Sequence, residues 1–463
     1  MAIIRLMKTY SRYLVLALLL YTQNIIFSFF AVSVFIPSLI ELVLLFFILL
    51  LLSYCRYQKL IISLWLSLYL MHFSFMSYFG QSITPSDIYL FFTHVSESYE
   101  TFIDTLDIFI VAFSIYLINI FIVLNVKLKK RVLNLYTVLI IFIIAILLNF
   151  TKLNDASFLL LKSISKVSFT KTIEPISEEK FTKEKKPLRE SEINIVLLIG
   201  ESMRAKEYQL DSYEMFEKGF YKTIYSGGTS TDVSIPLLIN GAIRPSQIDM
   251  TNNLFRLAKQ NSYQTQFITT QSLNSMKYIK PYMDERNIDR YSVLGSREDS
   301  HLLDKLKKID FNNADAEFVV MQMQGEHSPY KYYPTYVKST IPQQYAASME
   351  YSNTLILEMM SYIGSLKMPT LFIFTSDHGE LLNENGRAGH NKFHKKIYRV
   401  PMIIMSNINT TLDYEKILSH QGIYNLIYYF LGYAKEYKEE KNLIRVNGSM
   451  ISEEDGFRMM ESN

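Results

Sequence analysis

Three short apolar runs in the second half of the chain are each followed by side chains that can bind a metal ion. These side chains are Glu201 after 193–199, Glu326 and His327 after 318–323, and Asp377 and His378 after 371–374. If the runs are parallel strands of one sheet, their carboxyl ends meet at the same edge. Carboxylate oxygen and imidazole nitrogen suit zinc or manganese. The pattern therefore predicts a metal site at that edge.

A hydroxyl-rich segment supplies groups that such a metal could activate. Residues 225–236 read Y-S-G-G-T-S-T-D-V-S-I-P, with adjacent hydroxyls at Thr229, Ser230 and Thr231. We expect Pro236 to lie in the first turn of a helix, where its missing N–H group is tolerated. A helix N-terminus favours a phosphate or a deprotonated hydroxyl. Composition and spacing alone do not indicate which of the three hydroxyls the metal would activate.

Histidine placement also favours a metal site in the second half. Six of the eight histidines lie beyond residue 300, and His378, His390 and His394 fall within one short stretch. We interpret His420 as an ordinary surface or core histidine. The single cysteine, Cys55, excludes both a disulfide framework and a cysteine-based zinc site within one chain. Any metal must therefore be held by oxygen and imidazole ligands.

The elements that must position these groups are typical of an α/β domain. The predicted strands are 193–199, 318–323, 371–374 and 400–405, and the predicted helices are 252–262 and 341–364. Strands that alternate with helices predict a mostly parallel sheet covered by helices. We assign this catalytic domain to residues 193–463.

The first 155 residues form a predicted membrane domain. A spanning helix needs about 20 mostly apolar residues, and about five such runs occur, at 13–33, 36–54, 60–79, 107–126 and 132–150. Basic residues precede the first run and separate the second from the third and the fourth from the fifth. The loop 80–106 has acidic residues and no Lys or Arg. The positive-inside rule therefore places the N-terminus in the cytoplasm and the catalytic domain in the periplasm of a Gram-negative cell.

Two further segments connect these domains. Residues 85–105 carry apolar side chains at helical spacing, which predicts an amphipathic helix that lies on the membrane or packs on the soluble domain. Residues 156–192 are rich in Lys and Glu, as is typical of a solvated linker. The net charge of +3 is small for 463 residues, so nothing in the composition favours nucleic-acid binding.

Four motifs resemble those of the lipid A phosphoethanolamine transferases, the family of the mobile colistin-resistance enzymes within the alkaline phosphatase and sulfatase superfamily. They are G-E-S-M-R-A at 200–205, G-G-T-S-T-D-V-S-I-P at 227–236, G-E-H-S-P-Y at 325–330 and S-D-H-G-E-L-L-N-E-N-G at 376–386. The membrane part resembles the family by layout alone. The resemblance implies a multi-pass α-helical membrane domain and a periplasmic α/β domain of alkaline-phosphatase or sulfatase-like fold.

The resemblance implies that Thr231 is the nucleophile. Thr231, Glu201, Asp377 and His378 become the ligands of a catalytic zinc ion, with manganese as the alternative metal. Zinc would lower the pKa of the threonine hydroxyl, which then attacks phosphorus and forms a phosphothreonine. A hydroxyl or phosphate group of the acceptor completes the second displacement.

The resemblance gives further residues a role around the phosphate. His327 and His390 correspond to residues that bind the transferred phosphate or a second metal, and Glu380 to an acidic residue of the same shell. Asn274 and Lys277 match a substrate-phosphate pair, although their spacing departs by one residue.

The implied reaction transfers phosphoethanolamine from phosphatidylethanolamine to lipid A, to the lipopolysaccharide core or to another surface glycan. We expect a monomeric enzyme in the bacterial inner membrane. The alternative is a phosphoglycerol transferase of the lipoteichoic acid synthase type. A sulfatase would need a Cys or Ser in a C/S-x-P-x-R setting, and the segment from Ser234 to Pro236 lacks the arginine.

Two positions depart from the family pattern. Gly227 and Leu237 replace a pair of cysteines, so the disulfide that the family implies is absent. Asp232 replaces a small residue and places a negative charge beside Thr231, where a phosphate must approach.

Overall fold

A computed structural model gives the chain as two units, residues 1–169 with 383–388 and residues 170–382 with 389–463. The structure describes residues 2–30, 39–79, 83, 87–88, 91–92, 99, 102–103, 106–126, 160–161, 163–165, 185–205, 219–296, 298–312, 315–328, 330, 340–384, 387–408, 412–438, 440, 443–448 and 456–461.

Long apolar helices make up the described part of the first unit. They are Ala2–Phe30 (α1), Leu39–Leu52 (α2), Gln58–Phe79 (α3) and Leu106–Asn125 (α4). Buried side chains pack between these helices, among them Tyr13, Leu45, Leu66 and Ala112. These helices are rich in Leu, Ile and Phe, residues that cannot all be covered by one small bundle. Their remaining apolar side chains therefore face outward, as Phe121 does at 69% exposure.

Among the described residues of the first unit, two segments are long and apolar enough to cross a membrane, and the sequence predicted five spans. These segments are Gln58–Ser77 and Leu106–Asn125. The predicted span 36–54 contains the shorter apolar helix Glu41–Leu52, and helix α1 covers most of the predicted span 13–33. The predicted span 132–150 and most of the predicted amphipathic helix 85–105 lie outside the described residues.

A seven-stranded sheet forms the centre of the second unit. Its strands are Asn194–Gly200 (β1), Phe220–Tyr225 (β2), Gln264–Thr269 (β3), Arg290–Val293 (β4), Glu317–Gln322 (β5), Thr370–Ser376 (β6) and Arg399–Ser406 (β9). Two hairpins pair Leu381–Glu384 (β7) with Arg387–Gly389 (β8) and Leu443–Asn447 (β10) with Phe457–Glu461 (β11). The order across the sheet is β2-β9-β6-β1-β5-β3-β4.

Most neighbouring strands of this sheet are parallel. Strand β1 lies between β6 and β5 and is parallel to both, and β3 is parallel to β5 and β4. Strand β9 is antiparallel to β6 and β2, which makes the sheet mixed. The expectation of a mostly parallel sheet is confirmed, and each of the four predicted strands is present. The sequence patterns missed β2, β3 and β4.

Helices cover both faces of the sheet. They are Thr231–Asn240 (α5), Leu254–Gln260 (α6), Leu273–Ile279 (α7), Ser300–Leu306 (α8), Ile341–Gly364 (α9), Lys395–Tyr398 (α10) and His420–Phe430 (α11). Alternate residues of β1 enter the two cores: Leu197 packs with one side and Val196 and Leu198 with the other. A strand buried on both faces has a continuous apolar sequence, which explains why β1 was visible as a run.

The segment that enters the second unit is attached to helix α11. The backbone N–H of Leu188 donates to the Gly432 carbonyl oxygen (2.8 Å), and the Arg189 guanidinium lies 4.6 Å from the Tyr429 ring centre. Arg189 also donates to the Tyr429 carbonyl oxygen near the helix C-terminus (3.2 Å), where a positive charge is favourable. The last residues of the predicted linker 156–192 thus contact the catalytic unit.

Candidate active site

Neighbouring strands β1 and β6 bring together three predicted metal ligands. Gly200 pairs with Ser376 in the register of the two strands, and Glu201 follows the first strand while Asp377 and His378 follow the second. All three side chains are buried, and one ligand atom from each lies within 4.8 Å of the others. The expected gathering of ligands at the carboxyl edge of the sheet is therefore present, and this group could hold a metal ion.

The hydroxyl of Thr231 lies against the same group. Thr231 Oγ1 donates to Glu201 Oε2 at 3.0 Å and lies 3.2 Å from His378 Nε2. His378 Nε2 is 3.3 Å from Glu201 Oε1 and 3.5 Å from Asp377 Oδ2. Four side chains from three separate segments therefore converge on one point.

The spacing of these atoms fits a four-coordinate cation. Zinc bonds of about 2.0–2.1 Å in a tetrahedron place neighbouring ligand atoms about 3.3 Å apart. The four separations here run from 3.0 to 3.5 Å. Asp377 Oδ2 is buried and makes no hydrogen bond among the described residues. An orphaned carboxylate oxygen beside imidazole nitrogen indicates a position for a cation.

The electrostatics of the cluster also favour a cation. Burial, followed by the neighbouring Asp377 carboxylate, raises the pKa of Glu201 well above its ordinary value. Burial lowers the pKa of His378. Two buried carboxylates repel each other unless a proton or a positive charge lies between them. A divalent ion would remove this repulsion.

Helix α5 begins at Thr231, which corrects the expectation that Pro236 lies in its first turn. Ser230 is the N-cap, with extended φ of −155°, and Pro236 lies inside the helix. Because proline lacks an N–H, only the bond to the carbonyl four residues earlier is lost. Burial of nine of the ten helical residues offsets this loss. The nucleophile candidate therefore stands at a helix N-terminus, where unpaired N–H groups favour anions.

Asp232 occupies the first turn of α5 and is buried. Its Oδ1 accepts a hydrogen bond from Ser230 Oγ at 2.5 Å. A carboxylate in the first turn interacts favourably with the helix dipole. This position explains how the chain tolerates the extra negative charge beside Thr231.

Glu380 and His390 form a second group next to the first. Glu380 Oε2 lies 3.2 Å from His390 Nδ1, and the His390 ring lies over the His378 ring with centres 4.4 Å apart. Burial opposes ionisation of Glu380, but His390, and more weakly His378, lower the pKa of Glu380 to about 2. The pair therefore supplies an ionised carboxylate and an imidazole beside the metal ligands.

Ser202 is a site residue that the sequence patterns did not single out. Its hydroxyl lies 3.0 Å from both Glu201 Oε1 and Glu380 Oε2, and its backbone N–H donates to Asp377 Oδ1 at 3.1 Å. Its φ of +59° is a left-handed conformation that non-glycine residues rarely adopt. Such backbone strain often marks functional sites. The one available signal was its place directly after Glu201 in the first motif.

Arg204 and Tyr345 make hydrogen bonds that stabilise the turn containing Ser202. The Tyr345 hydroxyl donates to the Ser202 carbonyl oxygen (2.8 Å) and accepts from the Arg204 backbone N–H (2.9 Å). Arg204 is 1% exposed, and its guanidinium donates to the Glu380 carbonyl oxygen. Arg204 and Tyr345 thereby connect the turn after β1 with the turn after β6.

His327 lies beyond the end of β5, at the same edge of the sheet. The N–H of Glu326 donates to the Glu201 carbonyl oxygen (2.8 Å). Gly325, with φ of +53°, approaches so closely that a Cβ atom would lie 2.6 Å from the Glu201 nitrogen. Only glycine permits this approach. His327 Nδ1 lies 2.6 Å from the Ser328 carbonyl oxygen.

Other sequence-predicted residues lie elsewhere in the second unit. Asn274 and Lys277 are one helical turn apart on α7, where Lys277 is exposed. Within the described residues, no contact joins Lys277 to the metal cluster. His394 is the N-cap of α10 and accepts a hydrogen bond from the Lys396 N–H (3.2 Å).

The C-terminal hairpin supports the loop before Thr231. The N–H of Thr229 donates to the Asn447 carbonyl oxygen, and the N–H of Asn447 donates to the Gly227 carbonyl oxygen, both at 3.0 Å. The Thr229 carbonyl oxygen accepts from the N–H of Asn391 (2.9 Å). The loop before Thr231 is therefore paired on both of its backbone edges.

Gly227 and Leu237 stand where the resembling family has paired cysteines. A Cβ atom on Gly227 would lie 3.4 Å from the Leu237 Cβ atom, close to the roughly 3.5–4.5 Å that disulfides span. We expect the double variant Gly227→Cys with Leu237→Cys to form a disulfide on oxidation. Closing this short loop should stabilise the oxidised over the reduced variant by about 2–3 kcal/mol.

Thiol counting by mass spectrometry and thermal unfolding with and without reductant check this expectation. The single variant Gly227→Cys is the control, since Cys55, the only native cysteine, belongs to the other unit. A folded double variant that keeps both thiols after oxidation would contradict the geometry.

Solved structures are similar to this chain, and one of them shares its fold. Integral membrane protein lipooligosaccharide phosphoethanolamine transferase A from Neisseria meningitidis is 16% identical, with a TM-score of 0.62, over 86% of this chain and 89% of that chain. The C-terminal periplasmic domain of phosphoethanolamine transferase EptC from Campylobacter jejuni is 20% identical, with a TM-score of 0.43, over 55% and 95%. Lipoteichoic acid synthase LtaP from Listeria monocytogenes is 10% identical, with a TM-score of 0.44, over 64% and 86%.

Comparison with curated protein sequences found no match. The family model described as Sulfatase matches residues 193–433, more than half of the chain. This range begins at β1 and includes all the converging ligands. The expected sulfatase-like α/β fold of the second unit is thus confirmed, and the chain belongs to the Sulfatase family.

Proposed function

We propose that the chain is a membrane-anchored phosphotransferase. It moves phosphoethanolamine from phosphatidylethanolamine to lipid A, to the core or to another surface glycan, through a phosphothreonine at Thr231. The observation that supports this most is the Thr231 hydroxyl, at a helix N-terminus and 3.0 and 3.2 Å from Glu201 and His378. A hydroxyl so placed can attack a phosphate ester. The fold shared with a lipooligosaccharide phosphoethanolamine transferase supports the choice of group.

In the first step the Thr231 Oγ–phosphorus bond forms and the bond from phosphorus to the glycerol oxygen breaks. The Thr231 hydroxyl proton passes to Glu201, whose Oε2 accepts its hydrogen bond. The departing diacylglycerol oxygen takes a proton from solvent. In the second step the bond from the acceptor oxygen to phosphorus forms and the Thr231 Oγ–phosphorus bond breaks. The acceptor hydroxyl releases its proton to solvent, and Glu201 returns its proton to the threonine oxygen.

Glu201, Asp377, His378 and Thr231 would hold the metal, which we propose to be zinc, with manganese as the alternative. When bound, the ion would lower the pKa of the Thr231 hydroxyl and offset charge on the phosphate oxygens. The ionised Glu380 holds the imidazole of His390 near the same point, where it can donate to those oxygens.

We also propose roles for residues outside the group that would hold the metal. His327 and His390 bind the transferred phosphate or a second metal, and Asn274 and Lys277 bind the substrate phosphate from α7. We propose that the first unit provides five spans in the inner membrane and that a monomer works with its catalytic unit in the periplasm. The apolar helices Gln58–Ser77 and Leu106–Asn125 support the membrane anchor.

Mass spectrometry of lipid A and core oligosaccharide tests the proposed function. Gram-negative cells expressing the protein are compared with cells expressing its Thr231→Ala variant. We expect a phosphoethanolamine-sized mass difference in one fraction from the active protein only. A glycerophosphate-sized difference would establish the alternative reaction. Unchanged glycolipids and glycans, with the protein present and folded in the membrane, would overturn both.

A further inference from the structure

His420 connects two segments of the site without belonging to the metal cluster. It is the first residue of α11 and is 2% exposed. Its ring lies between the end of β6, which carries Asp377 and His378, and the loop that leads to Thr231. The sequence patterns gave it no role.

The hydrogen bonds of His420 fix one neutral form of its ring. Its Nε2 is 2.9 Å from the Ser376 carbonyl oxygen, which can only accept, so Nε2 carries the proton. Its Nδ1 accepts from the Gly227 backbone N–H at 3.2 Å. Burial also lowers the pKa of His420 to about 4, which agrees with a neutral ring. The ring therefore serves as a donor toward β6 and as an acceptor toward the nucleophile loop.

Ser234, which follows Thr231 in the sequence, also contacts His420 and the segment after β6. Its hydroxyl donates to the Asp377 carbonyl oxygen at 2.6 Å and lies 3.1 Å from His420 Nδ1. Gly227 precedes Thr231 by four residues, and Ser234 follows it by three. Both ends of the nucleophile segment are thus bound to the strand end that carries two metal ligands. These bonds act on the segment that the family's disulfide would otherwise constrain.

We propose that His420, together with Ser234, is a positioning residue that sets the distance of the Thr231 hydroxyl from Glu201 and His378. Neither side chain needs to touch the substrate for this role. The inference rests on the proposed function, since it concerns the same reaction. A misplacement of about 1 Å at a reacting atom can cost about 100-fold in rate.

The test uses the full-length enzyme and its steady-state release of diacylglycerol from labelled phosphatidylethanolamine. His420→Phe keeps a ring but removes both hydrogen bonds, and we expect kcat to fall about 100-fold while KM for the lipid and metal content stay near wild type. His420→Asn keeps an acceptor for the Gly227 N–H and should recover about tenfold of that loss, as expected for one hydrogen bond. His301→Phe, at an exposed histidine, is the matched control.

The variant Ser234→Ala tests the same proposal if His420→Phe does not fold. It should lower kcat about tenfold with little effect on KM. Folded Ser234→Ala and His420→Asn enzymes with wild-type kcat would overturn the proposal. Failure of all three variants to fold would assign the residues to stability and overturn it as well. If wild type itself forms no diacylglycerol and no phosphothreonine, the proposed function fails instead.

Discussion

Replacing Thr231 with alanine is expected to lower the proposed phosphoethanolamine transfer by at least about 1,000-fold, because the proposed covalent intermediate forms on the threonine hydroxyl. Folding and metal binding should change little. The lost hydroxyl gives up one hydrogen bond to Glu201, worth about 1 kcal/mol, while Glu201, Asp377 and His378 keep their ligand atoms. Diacylglycerol release and the mass of the tryptic peptide that contains Thr231 both measure the first step.

Thr229 offers a matched control within the same string of hydroxyls. Its Oγ1 is buried and makes no hydrogen bond among the described residues, so Thr229→Ala should keep most of the activity. Thr231→Ser keeps a hydroxyl and should form a phosphoserine. Retained transfer in Thr231→Ala, or its loss in Thr229→Ala with the metal still bound, would assign the nucleophile elsewhere.

Replacing Asp377 with asparagine is expected to abolish metal binding while stabilising the metal-free enzyme. Asparagine keeps the Oδ1 that accepts from the Ser202 and His378 N–H groups. It removes the charge that raises the pKa of buried Glu201. Relief of this repulsion, about 1 kcal/mol, should raise the unfolding midpoint in chelator by about 2–4 °C. Zinc should then stabilise wild type but not the variant.

Metal analysis measures the loss of metal binding, and thermal unfolding with chelator or added zinc measures the change in stability. Asp299→Asn is the control: Asp299 is also buried, but its carboxylate accepts from the N–H groups of Gln324 and Gly325. An amide cannot satisfy both donors, so this variant should be destabilised with and without zinc. An Asp377→Asn enzyme that still gains stability from zinc would contradict the assigned ligand set.

The strand ends of the site could be predicted because their physical signal is local. Strands β1, β5 and β6 are buried on both faces, so they appear as apolar runs with polar residues where each run stops. Strand β3 was missed because four of the six residues in its sequence, QTQFIT, are polar. Its buried Thr265 and Gln266 are hydrogen-bonded to Asp289 and Glu317, which come from other strands and turns.

The start of α5 could not be predicted for a related reason. The residues from Thr231 to Pro236 have poor helix propensity, and the preceding glycines favour a loop. Burial against α11 and α7 decides the outcome, and such contacts are not visible in the local sequence. His420 was likewise undervalued, since its partner Gly227 is 193 residues away in the chain.

The hairpin residue Asn447 is made 220 residues after Gly227, to which it is paired. Until the ribosome has added Asn447, the Gly227 carbonyl oxygen and the Thr229 N–H group lack this backbone partner. The loop before Thr231 therefore gains the partner on one of its two backbone edges only after Asn447 has emerged. We expect a nascent chain that ends before this hairpin to hold Thr231 less firmly against Glu201 and His378.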